Sequence, residues 1–220
     1  MRQNLAMART QDVTDYTSRS DAIAAAVSIA RSGGLVVLPT DTVYGVLTDA
    51  FVPTGVATLR QAKSMAPGSP VPVLVGSPNA LSGLATGLGD DVRYLVEAFW
   101  PGPLTVVVRA APTLTWDLGD NRSTVMVRMP LHPVALEVLR ELGPAAVTGA
   151  NVVGQAAAVT AEEAREQLGD WVQLYLDAGP ARHPDPSTVV DCTGPLPRVL
   201  RVGALSLELL QQVAPATMAG

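Results

Sequence analysis

The chain has 220 residues, of which 48% are hydrophobic, and this is enough to bury the core of one large domain or two small ones. Its net charge of −5 argues against a general nucleic-acid binder, and its single cysteine excludes an internal disulfide. No apolar run approaches the roughly 20 residues that a membrane span requires.

The amino terminus lacks the features of a targeting segment. Residues 1–20, MRQNLAMARTQDVTDYTSRS, contain no apolar signal core. The sequence therefore predicts a cytoplasmic protein with a flexible tail over residues 1–18, followed by a single folded domain over residues 19–215.

Helical and strand-like segments alternate through the first half of the chain. Ile23, Val27 and Ala30 recur at helical spacing before the stop at Gly33-Gly34, and an apolar strand follows at once. Thr54 is placed to cap the next helix. The predicted helices cover 20–32, 54–63 and 90–100, with another opening at 77–78, and the predicted strands cover 35–38 and 71–75.

The second half is richer in strands. Thr160 and Glu163 form a capping-box signature, and His132 is placed to cap the helix that begins at Pro133. This alternation, without a repeat or a break in composition, predicts one α/β domain with a large mixed sheet. The predicted strands cover 104–109, 124–129, 145–148, 172–176, 188–191 and 198–201, and the predicted helices cover 133–142, 160–168 and 206–213.

Polar side chains are concentrated where the first strand ends. Residues 39–45, PTDTVYG, place hydroxyls, a carboxylate and a phenol directly after that strand. Ligands bind at the ends of strands in α/β sheets, and short hydroxyl side chains both donate and accept hydrogen bonds. The segment therefore predicts a ligand site, although Tyr44 could also be a core aromatic and Asp41 could simply bond the amides of its turn.

Familiar catalytic and metal motifs are absent from the sequence, so no metal site is predicted. What remains are polar clusters at strand ends and Lys63, the only lysine among fifteen basic residues. If they converge in one cleft, they would bind an anionic, amino-acid-like or nucleotide-like ligand. Ordinary alternatives are that Arg128 faces solvent and that Ser187-Thr188 only begins a strand. The clusters are 40–44, Lys63, Arg128, 148–151, 187–188 and Arg201.

The order of these blocks resembles that of the YrdC and Sua5 family of threonylcarbamoyl-AMP synthases. The resemblance spans residues 20–205 and implies a twisted mixed sheet, flanked by helices, around a deep, positively charged cavity. It also implies that the chain joins L-threonine, bicarbonate and ATP into threonylcarbamoyl-AMP, with release of pyrophosphate and with Mg²⁺ accompanying ATP. The matching blocks are PTDTVYG at 39–45, Lys63 ahead of an apolar strand, FWPGPLT at 99–105, VRMP at 127–130 with His132-Pro133, TGANVVG at 148–154, STVVD at 187–191 and LRVG at 200–203.

The resemblance further implies residue roles and a partner. Arg128 would hold the threonine carboxylate, Asn151 would orient the adenylate, and Lys63 would be the catalytic cation. A tRNA threonylcarbamoyltransferase complex would use the product to modify adenosine 37 of tRNAs, without a membrane contact or a broad nucleic-acid surface on this chain. The threonine side would comprise Thr40, Tyr44, Arg128 and Ser187, and the nucleotide side Lys63, Thr148, Asn151 and Arg201.

Two positions depart from the family signature, which reads Lys-x-Arg and Ser-x-Asn. Here Met65 stands in place of the arginine, and Gly149 in place of the serine. Losing one charged contact and one hydroxyl costs about 1.5–3 and about 1 kcal/mol respectively, so ATP binding is expected to weaken by about two orders of magnitude. Three hypotheses remain open: an active synthase with a variant nucleotide pocket, a paralogue that performs a related carbamoylation or adenylation, and a non-catalytic member that binds a small ligand or RNA.

Overall fold

The structure is a computed structural model and describes residues 8–120, 122–182 and 185–220. Its centre is one mixed sheet made of β1 (Arg9–Asp12), β2 (Val36–Leu38), β3 (Gly45–Asp49), β4 (Val73–Leu74), β5 (Ala85–Thr86), β6 (Leu104–Ala110), β7 (Thr124–Arg128), β8 (Ala145–Gly149), β9 (Leu174–Asp177), β10 (Thr188–Asp191), β11 (Arg198–Arg201) and β12 (Met218–Ala219). The strand order is β1-β9-β2-β3-β8-β4-β7-β6-β10-β11-β12, with β5 paired to β6. Parallel and antiparallel neighbours both occur, as the predicted mixed sheet requires.

Helices cover both faces of this sheet. Successive strand residues point to opposite sides, so a continuous apolar strand presents apolar side chains to both faces. Val36 and Leu38 pack with α1 and α5, whereas Val37 belongs to the core on the other face. Within the described residues, no helix is both long enough and apolar enough to cross a membrane. The helices are α1 (Tyr16–Arg31), α2 (Pro53–Ala62), α3 (Ala80–Leu84), α4 (Asp90–Phe99), α5 (Pro133–Leu142), α6 (Ala161–Leu168) and α7 (Leu207–Val213), with a 3-10 turn at Gly169–Trp171.

The segment 39–44 connects two antiparallel neighbours, β2 and β3. β3 was not predicted from the sequence, because residues Gly45–Asp49 lack a continuous apolar pattern. β3 also pairs with β8, with Gly45 opposite Gly149. This register brings the polar connection beside the residues that follow β8, although the two segments are far apart in sequence.

Regular secondary structure extends beyond both predicted limits of the domain, residues 19 and 215. Residues 9–18, expected to belong to a flexible tail, instead form β1 and the start of α1, where Asp15 accepts a hydrogen bond from the N–H of Thr17 at 3.1 Å. β1 is an edge strand held to β9 by backbone hydrogen bonds. Its residues, RTQD, show no apolar pattern from which a strand could be predicted. At the other end, β12 pairs with β11 after residue 215. Residues 1–7 lie outside the described residues.

Helix starts were predicted with mixed success. Thr160 accepts from the N–H of Glu163 at 3.1 Å, which confirms that cap. Thr54 does not cap α2, because the helix starts one residue earlier with Pro53 at its first position. His132 occupies the N-cap position of α5 but makes no side-chain cap bond.

Candidate functional site

A cavity of about 460 Å³ opens where several strands end. Its wall includes the connection between β2 and β3, the ends of β7 and β8, the residue before β10 and the last residue of β11. The polar clusters predicted from the sequence therefore converge in space. The cavity is lined by all eight candidate residues: Thr40, Tyr44, Lys63, Arg128, Thr148, Asn151, Ser187 and Arg201.

The charge inside this cavity is positive. Lys63, Arg128 and Arg201 line it, and no carboxylate does so among the described residues. In a chain with a net charge of −5, this local excess of cations favours an anionic ligand. The described ranges contain no group of three or more His, Cys, Asp or Glu residues that could hold a metal ion.

Arg128 is buried at the end of β7, so the solvent-facing alternative is wrong. Its Nε donates to the carbonyl of Gly102 at 3.0 Å, Nη1 to Thr42 Oγ1 at 3.0 Å, and Nη2 to Asp41 Oδ1 at 2.6 Å. Burial lowers the pKa of the Arg128 guanidinium and the charge of Asp41 raises it, but arginine stays protonated in proteins. Three bonds therefore fix a charged fork in the cavity wall.

Asp41 does not bond the amides of its own turn, as the sequence suggested. Its Oδ1 accepts instead from Arg128 and from the backbone N–H of Leu131 at 2.9 Å. The ion pair is buried, with 8% of the Arg128 side chain and 12% of the Asp41 side chain exposed. The partners are remote in sequence, so no local pattern predicts this pair.

The two threonine hydroxyls of the connection are engaged by protein atoms. Thr40 Oγ1 accepts from the N–H of Thr42 at 3.1 Å and donates to the carbonyl of Val43 at 2.7 Å, which shapes the connection. Thr42 lies in the predicted 40–44 cluster but was assigned no role, and its hydroxyl accepts from Arg128. Its signal in the sequence was the Thr-x-Thr spacing.

Tyr44 forms a wall of the cavity and has its hydroxyl occupied elsewhere. The side chain is fully buried, and its hydroxyl donates to the carbonyl of Gly179 at 2.6 Å and accepts from the N–H of Ala178 at 3.1 Å. Burial raises the pKa of Tyr44 to about 12. The protonated phenol therefore ties the connection to the segment that follows β9.

We expect Tyr44→Phe to lower the free energy of unfolding by about 1–3 kcal/mol, because the carbonyl of Gly179 and the N–H of Ala178 lose a buried partner. Ligand affinity should change little if the ring alone contacts the ligand. Urea denaturation and ligand titration measure the two effects. Tyr175→Phe is the matched control, since that buried hydroxyl donates to the carbonyl of Gly169 at 2.7 Å. A tenfold loss of affinity with unchanged stability would contradict this assignment.

Lys63 follows the last residue of α2 and reaches the end of β8. Its ammonium donates to the carbonyl of Gly149 and, at 2.5 Å, to that of Asn151. Asn151 Oδ1 lies 3.5 Å from the same nitrogen. Burial lowers the pKa of Lys63 to about 8, so the amine is mostly protonated at neutral pH.

The loop after β8 is held by the side chain of Asn151. Its Nδ2 donates to the carbonyls of Val152 at 3.1 Å and Gln155 at 3.0 Å. A Cβ atom at Gly149 would lie 2.8 Å from Asn151 Oδ1. The amide of Asn151 therefore occupies space that a serine at position 149 would need.

Ser187 and Arg201 form a second polar cluster together with Thr105, which sequence analysis did not include. Ser187 Oγ lies 2.8 Å from Thr105 Oγ1, and Arg201 Nη2 donates to the carbonyl of Ser187 at 2.8 Å and to its hydroxyl at 3.2 Å. Thr105 stands within the FWPGPLT block, but only the parallel pairing of β6 and β10 places it beside Ser187.

Met65 and Val153 give the Lys63 end of the cavity an apolar wall.

Known sequences similar to this chain belong to one family. The chain matches the Sua5/YciO/YrdC family, described as telomere recombination, over residues 28–203. A Mycobacterium tuberculosis protein with the provisional name threonylcarbamoyl-AMP synthase is 53% identical over 207 residues, which are 94% of this chain and 95% of that protein. The threonylcarbamoyl-AMP synthase of Bacillus subtilis is 33% identical over 205 residues, covering 92% of this chain and 59% of that protein.

Solved structures share the fold. Pyrococcus abyssi Sua5 complexed with L-threonine has a TM-score of 0.91 and 30% identity over 96% of this chain, which spans 62% of that longer protein. Escherichia coli YciO has a TM-score of 0.83 over 93% of this chain and 100% of its own, and at 24% identity it supports the fold alone. The family match and the extent of these similarities agree with the sequence blocks at the cavity, and the chain belongs to the Sua5/YciO/YrdC family.

Proposed function

We propose that this protein condenses L-threonine, bicarbonate and ATP into threonylcarbamoyl-AMP and releases pyrophosphate. The observation that carries the proposal is a cavity lined by Lys63, Arg201 and the fixed fork of Arg128, with no carboxylate among its described lining residues. An amino-acid carboxylate and a triphosphate are both anions that such a cavity suits. Support comes from the M. tuberculosis relative named for this activity and from P. abyssi Sua5, which has L-threonine bound.

On the threonine side, Arg128 would bind the α-carboxylate. A guanidinium matches a carboxylate in a bidentate geometry, and the bonds of Arg128 to protein groups already hold it in place. Thr40 and Tyr44 would shape the pocket wall. Ser187, whose hydroxyl is oriented by Thr105 and Arg201, would close it.

On the nucleotide side, Lys63, Thr148, Asn151 and Arg201 would bind ATP. The threonine amine would attack the carbon of bicarbonate to give a carbamate and water, and a carbamate oxygen would then attack the α-phosphorus as pyrophosphate leaves. Both steps depend on alignment and on neutralisation of phosphate charge, which requires no protein nucleophile. Lys63 would neutralise phosphate charge once it exchanges a backbone carbonyl for a phosphate oxygen.

Mg²⁺ and the partner proteins are part of the same proposal. Because no carboxylate is found among the described residues of the cavity wall, Mg²⁺ would be held by the ATP phosphates, whose charge it would help to neutralise. The product would pass in the cytoplasm to a tRNA threonylcarbamoyltransferase complex for modification of adenosine 37. This chain would meet that complex only through its product.

A second candidate is a related carbamoylation or adenylation with a different amine. The observation that favours it is the altered nucleotide side, where Met65 lines the cavity and Asn151 fills the space beside Gly149. The threonine side, with Arg128 and Thr40 in place, favours the first candidate.

Pyrophosphate release from ATP and bicarbonate, with and without L-threonine, tests the proposal. Threonine-dependent release, with threonylcarbamoyl-AMP identified by mass spectrometry, is the expected result. Release only with another amine would support the second candidate. No release and no nucleotide binding would contradict both and would indicate a non-catalytic ligand-binding or RNA-binding protein.

We expect the double variant Met65→Arg/Gly149→Ser to bind ATP about 10- to 100-fold more tightly, since one charged hydrogen bond contributes about 1.5–3 kcal/mol. Met65→Arg should supply most of the gain. Gly149→Ser alone should give none, because its Cβ would displace the amide of Asn151. Isothermal titration with ATP measures the effect, and Met65→Gln is the uncharged control. If the double variant changes neither affinity nor turnover, the nucleotide pocket is not weakened at these positions.

A further inference from the structure

Asp41 lies directly behind the guanidinium of Arg128. Its Oδ1 accepts from Arg128 Nη2 at 2.6 Å and from the N–H of Leu131 at 2.9 Å, so its position is set by the end of β7 and by the backbone just after it. Asp41 does not itself line the cavity. We propose that Asp41 is a positioning residue, which aims Arg128 at the carboxylate of the amino-acid substrate. This inference rests on the proposed function and deepens it.

The hydrogen bonds of Arg128 explain how Asp41 sets its direction. A guanidinium carries five N–H donors, and the bonds to Gly102, Thr42 and Asp41 use one on each nitrogen. One N–H then remains on each terminal nitrogen. A bidentate contact with a carboxylate requires two such neighbouring donors. The bond from Nη2 to Asp41, together with those to Gly102 and Thr42, therefore fixes the plane of the guanidinium and the directions of its two remaining N–H groups.

The surrounding charges also indicate a role beyond stability. Burial lowers the pKa of the Arg128 guanidinium, Asp41 raises it by charge and by hydrogen bonding, and the charge of Arg201 adds a smaller lowering effect. The other oxygen, Asp41 Oδ2, is buried without a hydrogen-bond partner among the described residues. Such an oxygen destabilises the folded state. Exceptions of this kind are expected at functional sites, where geometry matters more than stability.

Charge and orientation predict opposite results when the carboxylate is removed. Asp41→Asn deletes a negative charge behind the fork and keeps an acceptor oxygen. If charge alone mattered, the more positive cavity would bind L-threonine more tightly. If orientation by a charge-assisted bond matters, L-threonine binds less tightly.

Calorimetric titration of wild type, Asp41→Asn and Asp41→Ala with L-threonine and with ATP provides the test. We expect the Kd for L-threonine to rise about tenfold in Asp41→Asn and further in Asp41→Ala, while the Kd for ATP stays within about twofold. Thermal melting checks that each variant is folded. Asp12→Asn is the matched control, because it removes the same charge from β1 at the sheet edge, where Asp12 contacts Thr14, and it should change neither Kd.

A second measurement needs no substrate. The Nε–H of Arg128, bonded to the carbonyl of Gly102, should exchange with solvent faster in Asp41→Asn than in wild type when followed by ¹⁵N NMR. Unchanged exchange, tighter L-threonine binding, or equal losses for L-threonine and ATP would each overturn the inference. If wild type fails to bind L-threonine but exchange is faster in the variant, the proposed function fails while the positioning of Arg128 by Asp41 stands.

Discussion

Arg128→Ala is expected to lower kcat/KM for threonine-dependent pyrophosphate release at least about a hundredfold, because the charged fork at the cavity wall is lost. The same change leaves Asp41 buried without its ion-pair partner. Removing one member of a buried pair costs about 3–5 kcal/mol, so the free energy of unfolding should fall as well. Steady-state kinetics and urea denaturation measure the two effects.

Arg128→Lys separates these effects. Lysine keeps a positive charge opposite Asp41 but cannot offer two parallel N–H groups to a carboxylate. We expect most of the stability to return, while the Kd for L-threonine stays at least about tenfold above wild type. Arg109→Ala on the neighbouring strand β6 removes an exposed arginine bonded to the carbonyl of Thr193 and should leave binding unchanged. Full threonine-dependent turnover in Arg128→Ala would show that the carboxylate binds elsewhere.

Lys63→Ala is expected to reduce pyrophosphate release by about two orders of magnitude, the usual effect of removing one preorganised donor from a developing charge. The loss should be severe because Met65 supplies no second cation at this end of the cavity. Lys63→Arg should not restore activity, since a planar fork cannot replace a compact ammonium that bonds the carbonyls of Gly149 and Asn151. Turnover in Lys63→Ala equal to wild type would remove Lys63 from the mechanism.

The pH dependence of Lys63 gives an independent check. Burial lowers its pKa from 10.5 to about 8, so the folded protein loses this charge as the pH rises through 8, whereas the unfolded chain keeps it to about pH 10.4. Activity should therefore fall between about pH 8 and 10. In the same window the unfolded chain binds one more proton, so the contribution of Lys63 to the free energy of unfolding rises.

Lys63→Met supplies the control for the stability half of this prediction. It keeps an apolar stem of similar length but has no group that titrates, so its stability should lack the rise that wild type shows above pH 8. Urea denaturation at a series of pH values measures this difference. If the two proteins respond alike to pH, Lys63 does not titrate in this range.

Much of the site could be predicted from the sequence, because most of its residues stand at the ends of short strands with clear apolar patterns. The apolar runs predicted the strands, and hydroxyls and cations placed at their ends predicted a cleft for anions. The structure brings all eight candidate residues to one cavity. Even the departures at Met65 and Gly149 stand at its wall. Local spacing carries this information because the polar groups stand next to strands whose apolar patterns are themselves local.

The sequence alone thus specified the α/β class, the family resemblance and eight of the residues that meet in the cavity. Only the tertiary structure decided which of their atoms are already bound. Asp41 pairs with Arg128, the hydroxyl of Tyr44 bonds to Gly179, and the amide of Asn151 closes its own loop. The partners of Asp41 and Tyr44 are remote in sequence, and the contact of Asn151 depends on how its loop folds over Gly149. Strand register and loop packing therefore determine these contacts. Neither can be inferred from the spacing of residues along the chain.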